Sequence, residues 1–289
     1  MVEREKREII TLDYNEYKTQ LNIFYGELER KITQPKLYSP KEAKEIVERL
    51  EEMNFVRCPG GSVIMGKDRG IKCNIEGHRL NETPQRRIIN IEPFYVAKFT
   101  VTNAEWEKFD PNHRRTITSS KDKSPVTCIS YRRALRYIIW LNEQTGMNFC
   151  LPTEPQIVLA YAPEGWEYSY KKSGGPERHI QNVFRSFPEA YPEGEAGSTL
   201  EVDDPRVPVN YLGIHHAGGN VSVFTLGHYQ APGHWGANSD GCYVVVYGGN
   251  FRLCHFSTRT VARGIVDITA VGDTLGIRLV HPDPFLTLK

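Results

Sequence analysis

After residue 54 the apolar residues of this chain occur mostly in short runs, and that pattern limits the folds open to it. Runs of four or five residues at 62–65, 87–91 and 94–97 are bounded by turn-forming residues such as Gly, Pro and Asn. Such runs are typical of strands in small sheets. Residues 163–235 carry few periodic runs. We therefore expect short strands joined by long loops that are functional or held in place by packing.

Helical patterns occur in the N-terminal segment and at two later places. Residues 1–54 are predicted to be helical and to pack on a main domain at 55–289, with a partner-binding helical hairpin as the alternative. A second helix of this segment should begin at Ser39, Pro40 and Glu42, which form a capping box. Further helices are predicted near Thr102 and over 130–145, before Gly146. The first apolar stripe has helical spacing and comprises Tyr14, Tyr17, Leu21, Phe24, Leu28 and Ile32.

The charges nearly balance, with 36 Lys and Arg against 35 Asp and Glu. A net charge of +1 gives no bulk attraction to nucleic acid or to an anionic membrane. No apolar run reaches the roughly 20 residues that span a bilayer, and the N-terminus lacks an apolar signal core. We predict no nucleic-acid partner and no membrane insertion. The expected location is cytoplasmic by default, with display on a cell or virion surface as the alternative.

Three patterns that suggest chemistry have simpler interpretations. Residues 61–67 fit most of a phosphate-binding loop, but Asp68 stands where Ser or Thr should hold magnesium, so a strand is predicted. The six cysteines form no C-x-x-C pair and are expected to be thiols. Four histidines match no metal-ligand spacing and are expected to pack in loops or lie at the surface: His215, His216, His228 and His234.

Over most of its length the chain resembles the formylglycine-generating-enzyme, or sulfatase-modifying-factor, domain. The motifs that carry the resemblance stand in the family's order at 59–66, 82–84, 99–103, 125–126, 134, 140–141, 151–154, 210, 213, 219–221, 248–251, 259, 263 and 276–278. The resemblance implies an α+β, C-type lectin fold with small twisted antiparallel sheets, two helices and long loops. The N-terminal helical segment would be an extension to it.

The resemblance also implies metal chemistry, and here the sequence departs from the family pattern. The family's enzymes hold copper with two cysteines near the closing motif, where this chain has only Cys254. Ser222 stands at the start of the segment where the family has Trp-Glu-Trp, which removes a carboxylate from a calcium site. A weaker calcium segment is suggested at Asn182 and Val183. We predict no catalytic residue, no enzyme activity and no cofactor, with calcium as an open alternative.

The C-terminal fifth suggests a different use of the same fold. Variable proteins of diversity-generating retroelements carry a C-terminal region in which adenines are randomised, so that Asn codons become any codon ending in C or T. Such codons never specify Lys, Glu, Gln, Met or Trp. Residues 236–288 contain none of these five, whereas residues 1–235 contain 54, or 23%. Strands and tight loops also disfavour these residues: 202–235 contain only Gln230 and Trp235.

We therefore predict a ligand-binding variable protein with a variable region of about 236–280 and a macromolecular ligand, which is expected to be a protein. The alternatives are an oxidoreductase like the formylglycine-generating enzyme and an undiversified structural or interaction domain. Leu253 and Val266 are expected in exposed loops. The predicted variable positions are Arg252, Leu253, His255, Phe256, Gly264, Ile265, Val266, Thr269, Ala270, Gly272, Asp273 and Thr274. The predicted scaffold residues are Gly248, Gly249, Asn250, Arg259, Arg263, Gly276 and Arg278, whose interior arginines should bond loop carbonyls and carboxylates.

Overall fold

A computed structural model describes residues 10–22, 26–66, 85–166, 168–169, 197–207, 209–228, 242–253 and 255–288. The predictions made for Lys67, Asp68, Cys73, His234 and Cys254, and those for 82–84 and 182–183, lie outside the described residues. Among the described residues, no helix is both long and apolar enough to cross a bilayer.

The described part of the chain contains six α-helices and ten strands. The helices are α1 (Tyr14–Asn22), α2 (Glu27–Thr33), α3 (Pro40–Glu52), α4 (Asn103–Trp106), α5 (Tyr131–Thr145) and α6 (Glu154–Tyr161). The strands are β1 (Ile10–Asp13), β2 (Phe55–Cys58), β3 (Gly61–Met65), β4 (Arg86–Ile91), β5 (Phe94–Ala97), β6 (Ser222–His228), β7 (Tyr243–Tyr247), β8 (Gly264–Asp267), β9 (Leu275–Gly276) and β10 (Val280–Pro282).

Three small sheets organise the fold. Their strand orders are β1-β4-β3, β10-β5-β2 and β8-β7-β6-β9. Most pairs are antiparallel, as predicted, but β1 runs parallel to β4 and β9 runs parallel to β6. The predicted α+β, C-type lectin architecture is therefore confirmed, with two parallel pairs that the sequence did not indicate. The strand prediction for residues 61–65 is also confirmed, since this run is β3 and pairs with β4.

The N-terminal segment is not helical throughout. Residues 10–13 form β1 and pair with β4, so the prediction of helix there was wrong. Ile10 and Thr11 are β-branched residues, which favour strands once a partner strand is available. The described residues of the helical stripe are divided between α1 and α2, and Gly26 is the N-cap of α2. The predicted start of α3 is confirmed, because Ser39 and Glu42 form the reciprocal capping box.

Helices α4 and α5 lie where they were predicted. Thr102 caps α4 in a second capping box, and Gly146 ends α5 in the left-handed conformation with φ 69°. Helix α6 was missed because seven of its eight residues are buried, which leaves no amphipathic period to detect. The signal that could have revealed it is the capping box between Thr153 and Gln156. Strand β6 was likewise hidden in a stretch predicted as loop.

The core is continuous from the N-terminal helices to the last strands. Tyr14 and Tyr17 are buried in it, and the Tyr14 hydroxyl lies 3.1 Å from the Thr153 hydroxyl at the start of α6. The expectation of thiols is confirmed for four cysteines, of which Cys58 and Cys150 are buried and Cys128 and Cys242 are half-buried. The N-terminal segment therefore contributes to the same core as the sheets.

Candidate functional groove

A groove of about 200 Å³ is lined by residues from all four strands of the sheet β8-β7-β6-β9. Ser222, Val246 and Asn250 line it together with five of the predicted variable positions. Those five are Leu253, Gly264, Ile265, Val266 and Thr274. The fold therefore brings predicted variable positions that are up to 21 residues apart in the chain to one concave surface.

All the predicted variable positions whose side chains are described are exposed or half-buried. Arg252, Leu253 and Thr269 are exposed, and Ile265, Ala270 and Thr274 are half-buried. Val266 was expected in an exposed loop, and this was wrong. It lies in strand β8 opposite Val244 and packs partly against the core. His255 and Phe256 lie in a 3₁₀ turn, and their side chains are outside the described residues.

An ion pair joins two variable positions across the surface. The Arg252 guanidinium bonds the Asp273 carboxylate, which also accepts a 3.1 Å hydrogen bond from the Thr118 hydroxyl. The Arg252 side chain remains 56% exposed, so solvent screens this pair and its contribution to stability is small. The pair therefore shapes the surface and is not required to hold the fold together.

The glycines of the closing region differ sharply in the space around them. A Cβ on Gly249 would lie 3.0 Å from the Ser257 carbonyl oxygen, and Gly249 has φ +63°. A Cβ on Gly276 would lie 2.7 Å from Val221 Cγ2. Gly248 has φ +94°, a backbone conformation that residues with a side chain rarely adopt. These three are predicted scaffold residues. At the variable position Gly272 the nearest atom would be Leu275 Cδ1 at 3.7 Å, an ordinary contact distance.

Gly264, a predicted variable position, is as crowded as the scaffold residue Gly276. It is exposed at the start of β8, yet a Cβ there would lie 2.7 Å from Val246 Cγ2. The neighbouring atom belongs to a side chain rather than to backbone. A substitution at Gly264 therefore requires Val246 to move, and Gly264 is the least exchangeable of the variable glycines.

The scaffold residue Arg263 forms a buried ion pair with Glu154, at the first turn of α6. Its Nε and Nη2 donate to the two carboxylate oxygens at 2.7 and 2.8 Å, and both side chains are 5% exposed. The Tyr247 hydroxyl donates to the same carboxylate at 3.1 Å. Burial lowers the pKa of the neighbouring Arg86 to about 10. Glu154 was matched to a family motif from sequence, but its pairing with Arg263 was not predicted, since the two are 109 residues apart.

Arg278 is fully buried and bonds to backbone carbonyls from two loops. Nη1 donates to Ala97 and Lys98 oxygens at 2.8 Å, and Nη2 donates to the His215 oxygen at 2.7 Å. Its guanidinium also lies over the Tyr161 ring, 5.7 Å from the centroid. Arg259 is buried as well. Arg263 and Arg278 thus have the carboxylate and carbonyl partners expected of interior arginines.

The segment that the family resemblance associates with calcium has its oxygens engaged within the protein. The Asn220 side-chain oxygen accepts the Leu200 N–H at 2.9 Å, and the Ser222 hydroxyl accepts an Asn250 N–H at 3.0 Å. Ser222 supplies no carboxylate, and calcium takes about six to eight oxygen ligands, so Asn220 and Ser222 alone do not form a calcium site. Across the described residues, no group of three or more His, Cys, Asp or Glu side chains is arranged to hold a metal ion.

His215 and His216 follow the expectation of loop packing, whereas His228 is the last residue of strand β6, so the loop prediction was wrong for it. Burial lowers the pKa of His216 to about 4, and its Nε2 lies 3.0 Å from the Glu201 carbonyl oxygen. His215 packs against Phe99 with ring centroids 4.9 Å apart. Both lie in the interior loop that Arg278 holds, away from the residues that line the groove.

Comparison with known proteins identifies the family. The profile of the sulfatase-modifying factor enzyme 1-like domain matches residues 40–282. The chain belongs to this family. The match begins at the first residue of α3, so it includes part of the segment that was predicted to precede the main domain. No curated protein matches the chain.

Solved structures of similar fold include proteins of differing kinds. PvdO from Pseudomonas aeruginosa is 18% identical with a TM-score of 0.62, covering 79% of this chain and 94% of PvdO. Treponema denticola variable protein 1 is 13% identical with a TM-score of 0.61, covering 78% and 94%. CarF is 17% identical with a TM-score of 0.55, covering 80% and 98%. At these identities the likeness establishes the shared fold, and function must be argued from the site.

Proposed function

We propose that this protein is a ligand-binding variable protein of a diversity-generating retroelement, and that the groove with its surrounding surface binds a protein ligand. The observation that carries the proposal is the separation of two sets of residues in the closing region. Positions proposed to vary, such as Arg252, Leu253 and Thr269, are exposed. Positions proposed to be constant, such as Arg263 and Arg278, are buried and bonded to the interior.

The glycine geometry supports this division at Gly249, Gly276 and Gly272, whereas the crowded Gly264 does not follow it. Side chains are excluded at Gly249 and Gly276 by neighbouring atoms, whereas Gly272 has room for one. A codon that is randomised at adenines must land where many side chains fit without moving backbone. Gly272 meets that requirement, and the two scaffold glycines do not.

The amino-acid content of the region supports the same proposal. Lys, Glu, Gln, Met and Trp are missing from residues 236–288, although they make up 23% of residues 1–235. Within this region, exposed positions such as Arg252 and Thr269 would readily accept Lys, Glu or Gln. Exposure therefore does not account for their absence at these positions, and restriction to codons ending in C or T does.

Sequencing the DNA beside the gene tests the proposal directly. We expect a reverse-transcriptase gene and a near-copy of the last 150 or so bases of this gene that differs from it mainly at adenines. The codons for the variable positions should differ between the two copies, and those for Arg263 and Arg278 should agree. Two copies that differ at random bases, or the absence of any second copy, would contradict the retroelement proposal.

A second function is favoured by one observation, the match to a family described as a modifying factor enzyme. In that case the purified protein should bind copper under anaerobic conditions and consume oxygen in the presence of a cysteine-containing peptide. Cys254→Ser should abolish the turnover. Oxygen consumption that depends on Cys254 would favour an enzyme over a binding protein, and no consumption above a heat-denatured control would favour binding.

A further inference from the structure

A second pocket, of about 400 Å³, lies between the end of α3 and helices α4 and α5. It shares no lining residue with the groove. Aromatic side chains form much of its wall, including Phe99, Tyr137 and Trp140, and Leu141 and Leu279 add aliphatic surface. Its size falls within the range of protein sites for small organic molecules, about 300–1,000 Å³.

Thr100 gives this pocket an unusual polar feature. The residue lines the pocket and is only 4% exposed, yet its hydroxyl oxygen has no hydrogen-bond partner. A buried polar group without a partner destabilises the folded protein, because it has lost its hydrogen bonds to water. Valine would fill nearly the same space at no such cost. A ligand group entering the pocket would supply the partner that the protein does not.

The charged residues of the pocket favour a cationic ligand. Glu52 and Glu105 carry two negative charges against the one positive charge of Lys108. Glu105 is held in place, because its Oε2 accepts hydrogen bonds from both the amide and the hydroxyl of Thr102 at 2.8 Å. Burial, together with the nearby Glu105 charge, raises the pKa of Tyr137. A fixed carboxylate therefore lies close to the aromatic wall.

The aromatic wall favours the same kind of ligand. Tyr137 and Trp140 have ring centroids 5.8 Å apart and belong to a larger cluster with Trp106 and Phe109. The electron-rich faces of such rings attract cations, and more strongly when water is partly excluded. Such a wall also packs against the apolar body of a ligand.

We propose that this pocket binds a small organic ammonium, namely a protonated amine on an aromatic or alkyl body. The ammonium group would lie near Glu105 and donate a hydrogen bond to the Thr100 hydroxyl, while the body would pack against Tyr137 and Trp140. This site is distinct from the groove and does not depend on the function proposed above.

Calorimetric titration of the full chain with three matched compounds tests the proposal. 2-Phenylethylamine should bind saturably and at least about tenfold more tightly than the neutral 2-phenylethanol, and phenylacetate should not bind. Glu105→Gln should weaken amine binding at least about tenfold and leave the alcohol unchanged, because glutamine can still complete the capping box. Thr100→Val should weaken amine binding several-fold, and Leu253→Asn in the groove should not change it.

The proposal is overturned if no compound binds saturably, if amine and alcohol bind equally, or if Glu105→Gln keeps the parent affinity. Thermal unfolding of each variant shows whether it is folded. If Glu105→Gln does not fold, the affinity of Thr100→Val for the amine tests the proposal instead. A second titration uses Nα-acetyl-lysine N-methylamide, which carries the side chain of a lysine within a protein. Tighter binding of this compound than of 2-phenylethylamine would assign the pocket to a lysine side chain of a partner protein, and weaker binding would assign it to a free amine.

Discussion

The scaffold residues and the predicted variable positions lie within the same 31 residues, 248–278, but they are held in different ways. Arg263 and Arg278 each bond to groups more than 60 residues away in sequence, and each does so in the interior. Arg252 and Leu253 are exposed, and Arg252 forms an ion pair with another predicted variable position, Asp273. The shape of these loops thus depends on buried partners outside the predicted variable set, and on the proposed function the surface side chains can change without changing that shape.

The largest expected difference between the two regions concerns the buried ion pair. Arg263→Met removes the guanidinium and leaves the Glu154 carboxylate buried without its counter-charge, which should cost about 3–5 kcal/mol of unfolding free energy. The double variant Glu154→Leu, Arg263→Met should be more stable than Arg263→Met alone, since the carboxylate that Arg263 paired with is then removed as well. Urea-induced unfolding followed by fluorescence measures both. A loss below 1 kcal/mol for Arg263→Met would show that the pair does not hold the loop.

Acid should lower the free energy of unfolding through the interior, where two histidines are buried. Burial lowers the pKa of both His216 and His281 to about 4, so each stays neutral in the folded protein while it is protonated below pH 6.5 in the unfolded chain. The folded state should therefore lose stability as the pH falls from 6.5 to 4, by up to about 1.4 kcal/mol per pH unit for each histidine. The stability that depends on the neutral rings is fully present above pH 6.5.

His281 provides the control for this pH dependence. Its Nε2 accepts the Asn148 N–H at 3.0 Å, and its Nδ1 lies 2.6 Å from the Pro282 carbonyl oxygen, so a proton on Nε2 would face a donor. His281→Gln keeps an acceptor for Asn148 but does not titrate. The unfolding free energy of this variant should fall less steeply between pH 6.5 and 4. An unchanged slope of unfolding free energy against pH would show that His281 does not contribute to the acid sensitivity.

The glycines give a smaller but sharper comparison, because the same substitution is made in both regions. Gly249→Ala places a Cβ at φ +63° and 3.0 Å from a backbone oxygen, and should cost about 1–3 kcal/mol. Gly272→Ala meets no atom closer than 3.7 Å and should change stability by less than about 0.5 kcal/mol. Thermal unfolding of the two variants side by side measures the difference. Equal losses would mean that the two positions are equally constrained.

The smallest effects are expected at the exposed variable positions. Leu253→Asn and Thr269→Asn introduce the amino acid that, on the retroelement proposal, an unmutated codon would specify, and each should alter the unfolding free energy by less than about 0.5 kcal/mol. Leu253 is 38% exposed, so part of its apolar surface is already in water. Calorimetric unfolding temperatures check both. A loss above 2 kcal/mol at either position would place it in the scaffold.

The sequence predicted the fold well where local signals agreed with the tertiary structure. The capping box at Ser39 and Glu42 and the stop at Gly146 specify helix ends through nearby hydrogen bonds and backbone conformation, and both were read correctly. The motifs from 248 to 278 placed the closing region in the right family. Such features depend on residues a few positions apart, so a single sequence contains them.

The features that were missed depend on distant partners. Residues 10–13 become a strand only because β4 lies beside them, and helix α6 is buried on all sides, which removes its amphipathic period. The Glu154–Arg263 pair joins residues 109 positions apart and has no local signature. Val266 was expected in a loop because the hydrogen bonds that make it a strand come from β7. The groove itself is a product of the same long-range pairing.

The central claim is that the scaffold fixes the shape of a surface whose side chains are exchangeable. The most direct test randomises Leu253, Val266, Thr269, Ala270 and Thr274 with codons ending in C or T, and measures the unfolding temperature of individual clones. We predict that more than half unfold cooperatively within about 4 °C of the parent, a shift that corresponds to roughly 1–2 kcal/mol. The same codons placed at Asn250, Arg263 and Gly276 should leave few folded clones. Equal fractions of folded protein in the two libraries would contradict the account.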